Sequence, residues 1–184
     1  MCNFCETQPV YEFTNQRKLC KTCFVRYVEK KFFYIIRRFE MVSKNDIITY
    51  ENKGNFRDAV LEVLLKMFGE RAPVKIVKFN SKIKFDRKVV SSTIDVFAEK
   101  MIYDLFKKNV KNFEELKPVE KKIIKPLYLF LDEEILLYAK LKKLKFKNQK
   151  EQKNEISLFV DDLEKKHPEI KRAIVNSYLE LFWS

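Results

Sequence analysis

Asp46-Ile47-Ile48-Thr49-Tyr50-Glu51-Asn52-Lys53-Gly54-Asn55-Phe56 decides the fold. Ile47 to Tyr50 is a short β-branched and aromatic run, and the polar loop after it contains Asn52, Gly54 and Asn55. Beyond the loop, Phe56, Val60, Val63, Leu64, Met67 and Phe68 recur at helical spacing. Strand, loop and helix in that order make one β-loop-α unit. Downstream, Pro73 to Phe79 reads as a second strand, which Ile83 to Phe85 extends or follows. Val89-Val90 opens a third passage into a helix that buries Ile94, Phe97, Met101, Leu105 and Phe106, with Ser92 or Thr93 as its cap. Ile123 to Leu127 reads as a last strand stopped by Pro126, and a helix from Asp132 to Leu144 follows. Strands alternating with helices predict an α/β fold with a mainly parallel sheet flanked by helices.

Upstream of this unit, Phe24, Val28, Phe32, Ile35, Ile36 and Phe39 form one apolar stripe, so residues 24–40 are expected to be helical. Arg26, Lys30, Lys31, Arg37 and Arg38 decorate the rest of it. A solvated face and a phosphate-contacting face both fit that pattern, and these five are the candidate RNA contacts. At the other end, Lys140 to Lys153 reads as an exposed lysine-rich connection. Helices are expected near Glu155 to Lys165 and from Pro168 onward. The expected organisation is a cysteine segment over 1–23, a linking helix over 24–44 and an α/β domain over 45–184.

The chain has 184 residues, 46% of them hydrophobic, with 17 Phe and 8 Tyr, which excludes a disordered class. Lys+Arg exceed Asp+Glu by enough to give a formal charge of +12. That surplus favours an anionic partner, although a lysine-biased composition would produce it too. No apolar run reaches the length of a membrane span, and Met1-Cys2-Asn3-Phe4-Cys5 has no signal-peptide pattern, so the expected setting is cytoplasmic with no membrane partner.

The four cysteines form two pairs, Cys2-x2-Cys5 and Cys20-x2-Cys23. Two such turns can close a tetrahedron of thiolates, and in a reducing compartment that spacing reads as metal rather than disulfide. The expectation is structural zinc, with an iron–sulfur cluster or free thiols as the alternatives.

Leu19-Cys20-Lys21-Thr22-Cys23-Phe24-Val25-Arg26-Tyr27-Val28, then Lys31-Phe32, resembles the N-terminal signature of the cytosolic tRNA 2-thiolation proteins. Ile124-Lys125-Pro126-Leu127 with Glu134 and Leu137-Tyr138-Ala139 is similar to a second passage of that family. Asn154 to Leu181, with Phe159 and His167-Pro168-Glu169, is similar to its closing segment. The likeness is strongest to the non-catalytic member of the eukaryotic pair. It implies an adenine-nucleotide α-hydrolase (PP-loop) fold and a heterodimer with a catalytic 2-thiolation subunit. It further implies tRNA as the bound nucleic acid, with sulfur delivered indirectly by a ubiquitin-like carrier to the wobble uridine, U34.

The departures point the same way. The family's nucleotide loop reads Ser-Gly-Gly-x-(Asp/Ser)-Ser, because the backbone must approach pyrophosphate closely. Here Glu51 to Asp58 retains only Gly54, lacks serine and adds two carboxylates. No cysteine follows Cys23, and the second nucleotide passage appears as Ser91-Ser92-Thr93-Ile94-Asp95. The expectation is therefore a non-catalytic subunit without ATP. An active compact thiolase with a divergent loop is the first alternative, and a zinc-ribbon adaptor outside thiolation the second. His167 precedes a proline at a helix entry, and Asp161-Asp162 and Asp132-Glu133-Glu134 read as solvated or dipole-complementing acids, so none of them is a catalytic candidate.

Overall fold

The computed structural model describes residues 1–147 and 155–183. Two short strands, β1 (Tyr11–Glu12) and β2 (Lys18–Leu19), pair antiparallel before α1 (Lys21–Arg38). Then come β3 (Ile47–Tyr50), α2 (Phe56–Gly69), β4 (Lys75–Lys78), β5 (Arg87–Val89) and α3 (Ile94–Phe106). A 3₁₀ segment (Val110–Leu116), β6 (Val119–Glu120), β7 (Ile123–Ile124), α4 (Asp132–Leu141), α5 (Glu155–Lys166) and α6 (Ile170–Phe182) complete the chain.

The main sheet has the order β4-β3-β5-β7-β6. β3 pairs in parallel with both β4 and β5, and β5 pairs in parallel with β7. Only the edge strand β6 runs antiparallel, against β7. The expected mainly parallel α/β sheet is thus observed. Ile123 to Leu127 is shorter as a strand than its sequence implies. Its first two residues form a hairpin with β6, and the chain turns at Lys125, whose carbonyl accepts the Tyr128 amide. Ile83 to Phe85 forms no strand.

Two sets of helices flank the sheet. α1, α2 and α4 pack on one another, as do α3, α5 and α6. The apolar stripe of α1 supplies Phe24, Val28, Phe32 and Ile35, all fully buried. Around Tyr128, Phe97 packs edge-on at 5.2 Å between ring centroids and Phe39 at 5.9 Å. Burying aromatic rings of this size contributes roughly 1.5–3 kcal/mol each.

Thr93 occupies the N-cap position of α3 but makes no cap hydrogen bond. Its hydroxyl instead donates to Asp132 at 2.7 Å, which Arg57 also grips. A charged acceptor from α4 outcompetes the local amide. The lysine-rich connection is described to Lys147, and its remainder to Lys153 lies outside the described residues. Lys147 donates its amide to the Gly54 carbonyl at 2.7 Å, so this connection folds over the β3–α2 loop. No helix among the described residues is long and apolar enough to cross a membrane.

Candidate functional site

The crevice between β3 and β5 follows from strand order. From β3 the chain passes through α2 to β4 on one side, then returns to β5 on the other. The carboxyl ends of β3 and β5 therefore diverge, which is where open α/β sheets place ligands. A cavity of about 240 Å³ lies there, lined by Glu51, Lys53, Asn55, Asp58, Lys88, Val89, Val90 and Ser91.

Loop chemistry sets its polarity. Asn55 caps α2 by accepting the Asp58 amide, and Gly54 takes φ +87°, a conformation open to glycine. Asp58 is buried, and its carboxylate collects the loop's donors. One oxygen accepts the Lys53 amide at 2.9 Å and the Asn55 side-chain amide at 2.8 Å; the other accepts Ser91 Oγ. Glu51 pairs with Lys88 at 2.6 Å, and that hydrogen bond holds its carboxyl below the usual range. The crevice thus holds a helix N-terminus and two lysines, with the carboxylates of Glu51 and Asp58 placed among them.

The four cysteines meet at the start of α1. Their sulfur atoms all lie within 4.8 Å of one another, with Cys5 at 3.4 Å from Cys20 and 3.8 Å from Cys23. The β1–β2 hairpin brings the pairs together, since the Asn3 amide donates to the Lys18 carbonyl and the Lys18 amide to the Asn3 side chain. Desolvation opposes ionisation of Cys2, but backbone amides of Phe4, Cys20 and Cys5 draw its thiol down to about 6. Burial, followed by the neighbouring thiols Cys20, Cys2 and Cys5, pushes Cys23 up to about 12. Four sulfurs this close ionise together only beside a cation, so the donor set fits a metal centre.

Beside this cluster α1 builds a second cavity, about 500 Å³, lined by Phe4, Arg17, Cys23, Arg26, Tyr27, Lys30, Lys31 and Tyr34. Arg26, Lys30 and Lys31 therefore converge on one site. Arg37 and Arg38 stay in the last turn of α1, where cations complement the helix dipole. Arg38 donates to the Tyr34 hydroxyl at 3.3 Å and lies 5.3 Å from the Phe39 ring centroid. Lys31 is mostly buried, donating to Tyr27 at 2.8 Å and to Glu134 at 3.2 Å. Burial depresses its ammonium to about 8, although Glu134 opposes that.

Sequence reasoning missed Arg17, Phe4, Tyr27 and Tyr34. Tyr27, Lys30, Lys31 and Tyr34 stand at i, i+3, i+4 and i+7, so an aromatic–cationic stripe was present in the spacing. Arg17 and Phe4 carry no such signal, because the hairpin alone brings them to α1.

By sequence the chain matches no known protein family and no curated protein. By structure it is similar to the U34-tRNA thiolase NcsA from Methanococcus maripaludis, solved with its [4Fe-4S] cluster. The TM-score is 0.78 at 19% identity, and the likeness covers 98% of this chain and 86% of the thiolase. The shared fold is the PP-loop-like α/β fold expected from the sequence.

Two expectations are corrected by this match. A non-catalytic subunit was inferred from the altered loop, the lack of cysteines after Cys23 and the changed second passage, yet a solved structure sharing nearly the whole fold is an enzyme's. Those departures do not remove a binding crevice, because one lined by Lys53 and Lys88 remains at the carboxyl ends of β3 and β5. Structural zinc is corrected as well. The thiolase carries an iron–sulfur cluster, and convergent thiolates serve zinc and iron–sulfur centres alike, so cysteine spacing selects thiolate–metal chemistry without selecting zinc.

Proposed function

We propose that this chain is a compact tRNA thiolation enzyme that acts on uridine and has a divergent nucleotide loop. The observation that carries the reading is the likeness to a U34-tRNA thiolase along nearly its whole length. The crevice at β3 and β5 supports it, since it lies where open α/β sheets bind their ligands and gathers Lys53, Lys88 and the α2 N-terminus. In this reading Cys2, Cys5, Cys20 and Cys23 hold a metal centre that fixes the N-terminal hairpin against α1. Arg26, Lys30 and Lys31 contact RNA phosphate.

The test has two arms. Nucleoside mass spectrometry of bulk tRNA after depletion of the protein should show loss of 2-thiouridine derivatives. The purified chain, supplied with tRNA, ATP and a sulfide source, should then form 2-thiouridine. Unchanged thiolation in depleted cells, with no product in vitro, would sink the proposal.

A further inference from the structure

The cavity beside the cysteine cluster differs from a simple basic patch. Its volume of about 500 Å³ lies within the roughly 300–1,000 Å³ of small-ligand sites. Phe4 and Tyr34 present exposed rings on it, at 69% and 45% exposure. Phe4 stands between Cys2 and Cys5, so the cysteine knuckle fixes its position. The Arg17 guanidinium lies 4.2 Å from the Phe13 ring centroid and 5.3 Å from that of Tyr27. Among the described residues its Nε is buried with no hydrogen-bond partner. Among the described residues no carboxylate pairs with Arg26 or Lys30, although Lys31 is paired with Glu134.

We infer that this cavity binds one unpaired nucleotide of an RNA strand, its base against the exposed rings and its phosphate on Arg26 and Lys30. The inference rests on the RNA-binding reading above and adds what kind of RNA is held. A cationic surface alone binds duplex and single strand by phosphate charge. Exposed rings add affinity only where a base face is free, because pairing and stacking hide those faces in a helix. Arg17 pre-ordered on Phe13 and Tyr27 supplies a flat donor that needs no reordering on binding.

Fluorescence anisotropy with the full chain tests this, using a labelled short oligouridine and an RNA duplex of the same length. Tyr34→Ala is expected to weaken oligouridine binding about ten-fold and leave duplex binding unchanged. Tyr34→Phe, which keeps the ring, should restore wild-type affinity. The Arg26→Ala/Lys30→Ala double variant should weaken both ligands. Tyr34 is exposed, so circular dichroism should report an unaltered fold. If Tyr34→Ala leaves oligouridine binding intact, the stacking site is overturned while the RNA reading stands. If the wild-type chain binds neither RNA, both fail.

Discussion

Ser91 Oγ donates a hydrogen bond to Asp58 Oδ1 at 2.5 Å, joining the end of β5 to the first turn of α2 across the crevice. The contact places a carboxylate among the amides and lysines that would otherwise meet an anionic ligand. An incoming phosphate therefore competes with Asp58 for the same donors.

Neutralising that carboxylate should strengthen anion binding. Asp58→Asn is expected to bind pyrophosphate about ten-fold more tightly than wild type by titration calorimetry, because a like charge is removed from the cradle. Its folding stability should fall by about 1.5–3 kcal/mol, the usual worth of a charge-assisted hydrogen bond. Unchanged or weaker pyrophosphate binding would show that Asp58 does not face the ligand.

The cysteine cluster should couple metal content to order in the N-terminal segment. Cys20→Ser is expected to lower bound metal, with iron, zinc and acid-labile sulfide all measured. Residues 1–19 should then become sensitive to proteolysis while the α/β core stays folded. Metal content equal to wild type would remove Cys20 from the ligand set.

Lys31 gives the proposed RNA site a pH dependence. It faces Tyr27 on α1, Glu134 on α4, Arg172 on α6 and Arg17 near β2, and burial brings it to about 8. Oligouridine affinity should fall roughly three-fold between pH 7 and 9 as that charge is lost, about the share of one phosphate contact. Lys31→Arg, charged throughout, should flatten the profile. Stability should move the other way: the unfolded chain holds this proton up to about 10.5 and the fold only to about 8. The unfolded state thus binds more protons in that window, and Lys31 makes the fold more stable as pH rises through it. An affinity profile identical in Lys31→Arg would assign the dependence to another group.

Glu134 is fully buried and accepts hydrogen bonds from the Leu131 amide, Tyr27 and Lys31. Glu134→Leu leaves the Leu131 amide and the Tyr27 hydroxyl without that acceptor and Lys31 without its carboxylate, and should cost about 3–5 kcal/mol in urea denaturation. Glu134→Gln, which keeps an acceptor, should cost less. Equal losses in the two variants would mean that packing, not hydrogen bonding, sets the cost.

The short strand at Ile47 to Tyr50 and the apolar stripe of α2 were legible because each follows from local periodicity. The stripe of α1 was legible for the same reason, although the helix begins earlier, at Lys21. The β6–β7 hairpin was hidden, since two strands of two residues each carry no periodicity to read. Thr93 was legible as the N-cap position of α3, but its hydroxyl's partner, Asp132, was not, because it is distant in sequence.

Function divides along the same line. Sequence alone determined the mainly parallel α/β class, the paired cysteines and the basic helix, all of which are properties of neighbouring residues. It also showed that the loop after β3 keeps a single glycine, Gly54, and no serine. Only the tertiary structure decided that Asp58 reaches Ser91, that Lys147 folds onto Gly54, and that Arg17 and Phe4 join α1 beside the cysteines. Those meetings depend on strand order and hairpin register, which bring distant residues within hydrogen-bond reach and leave no mark on local spacing.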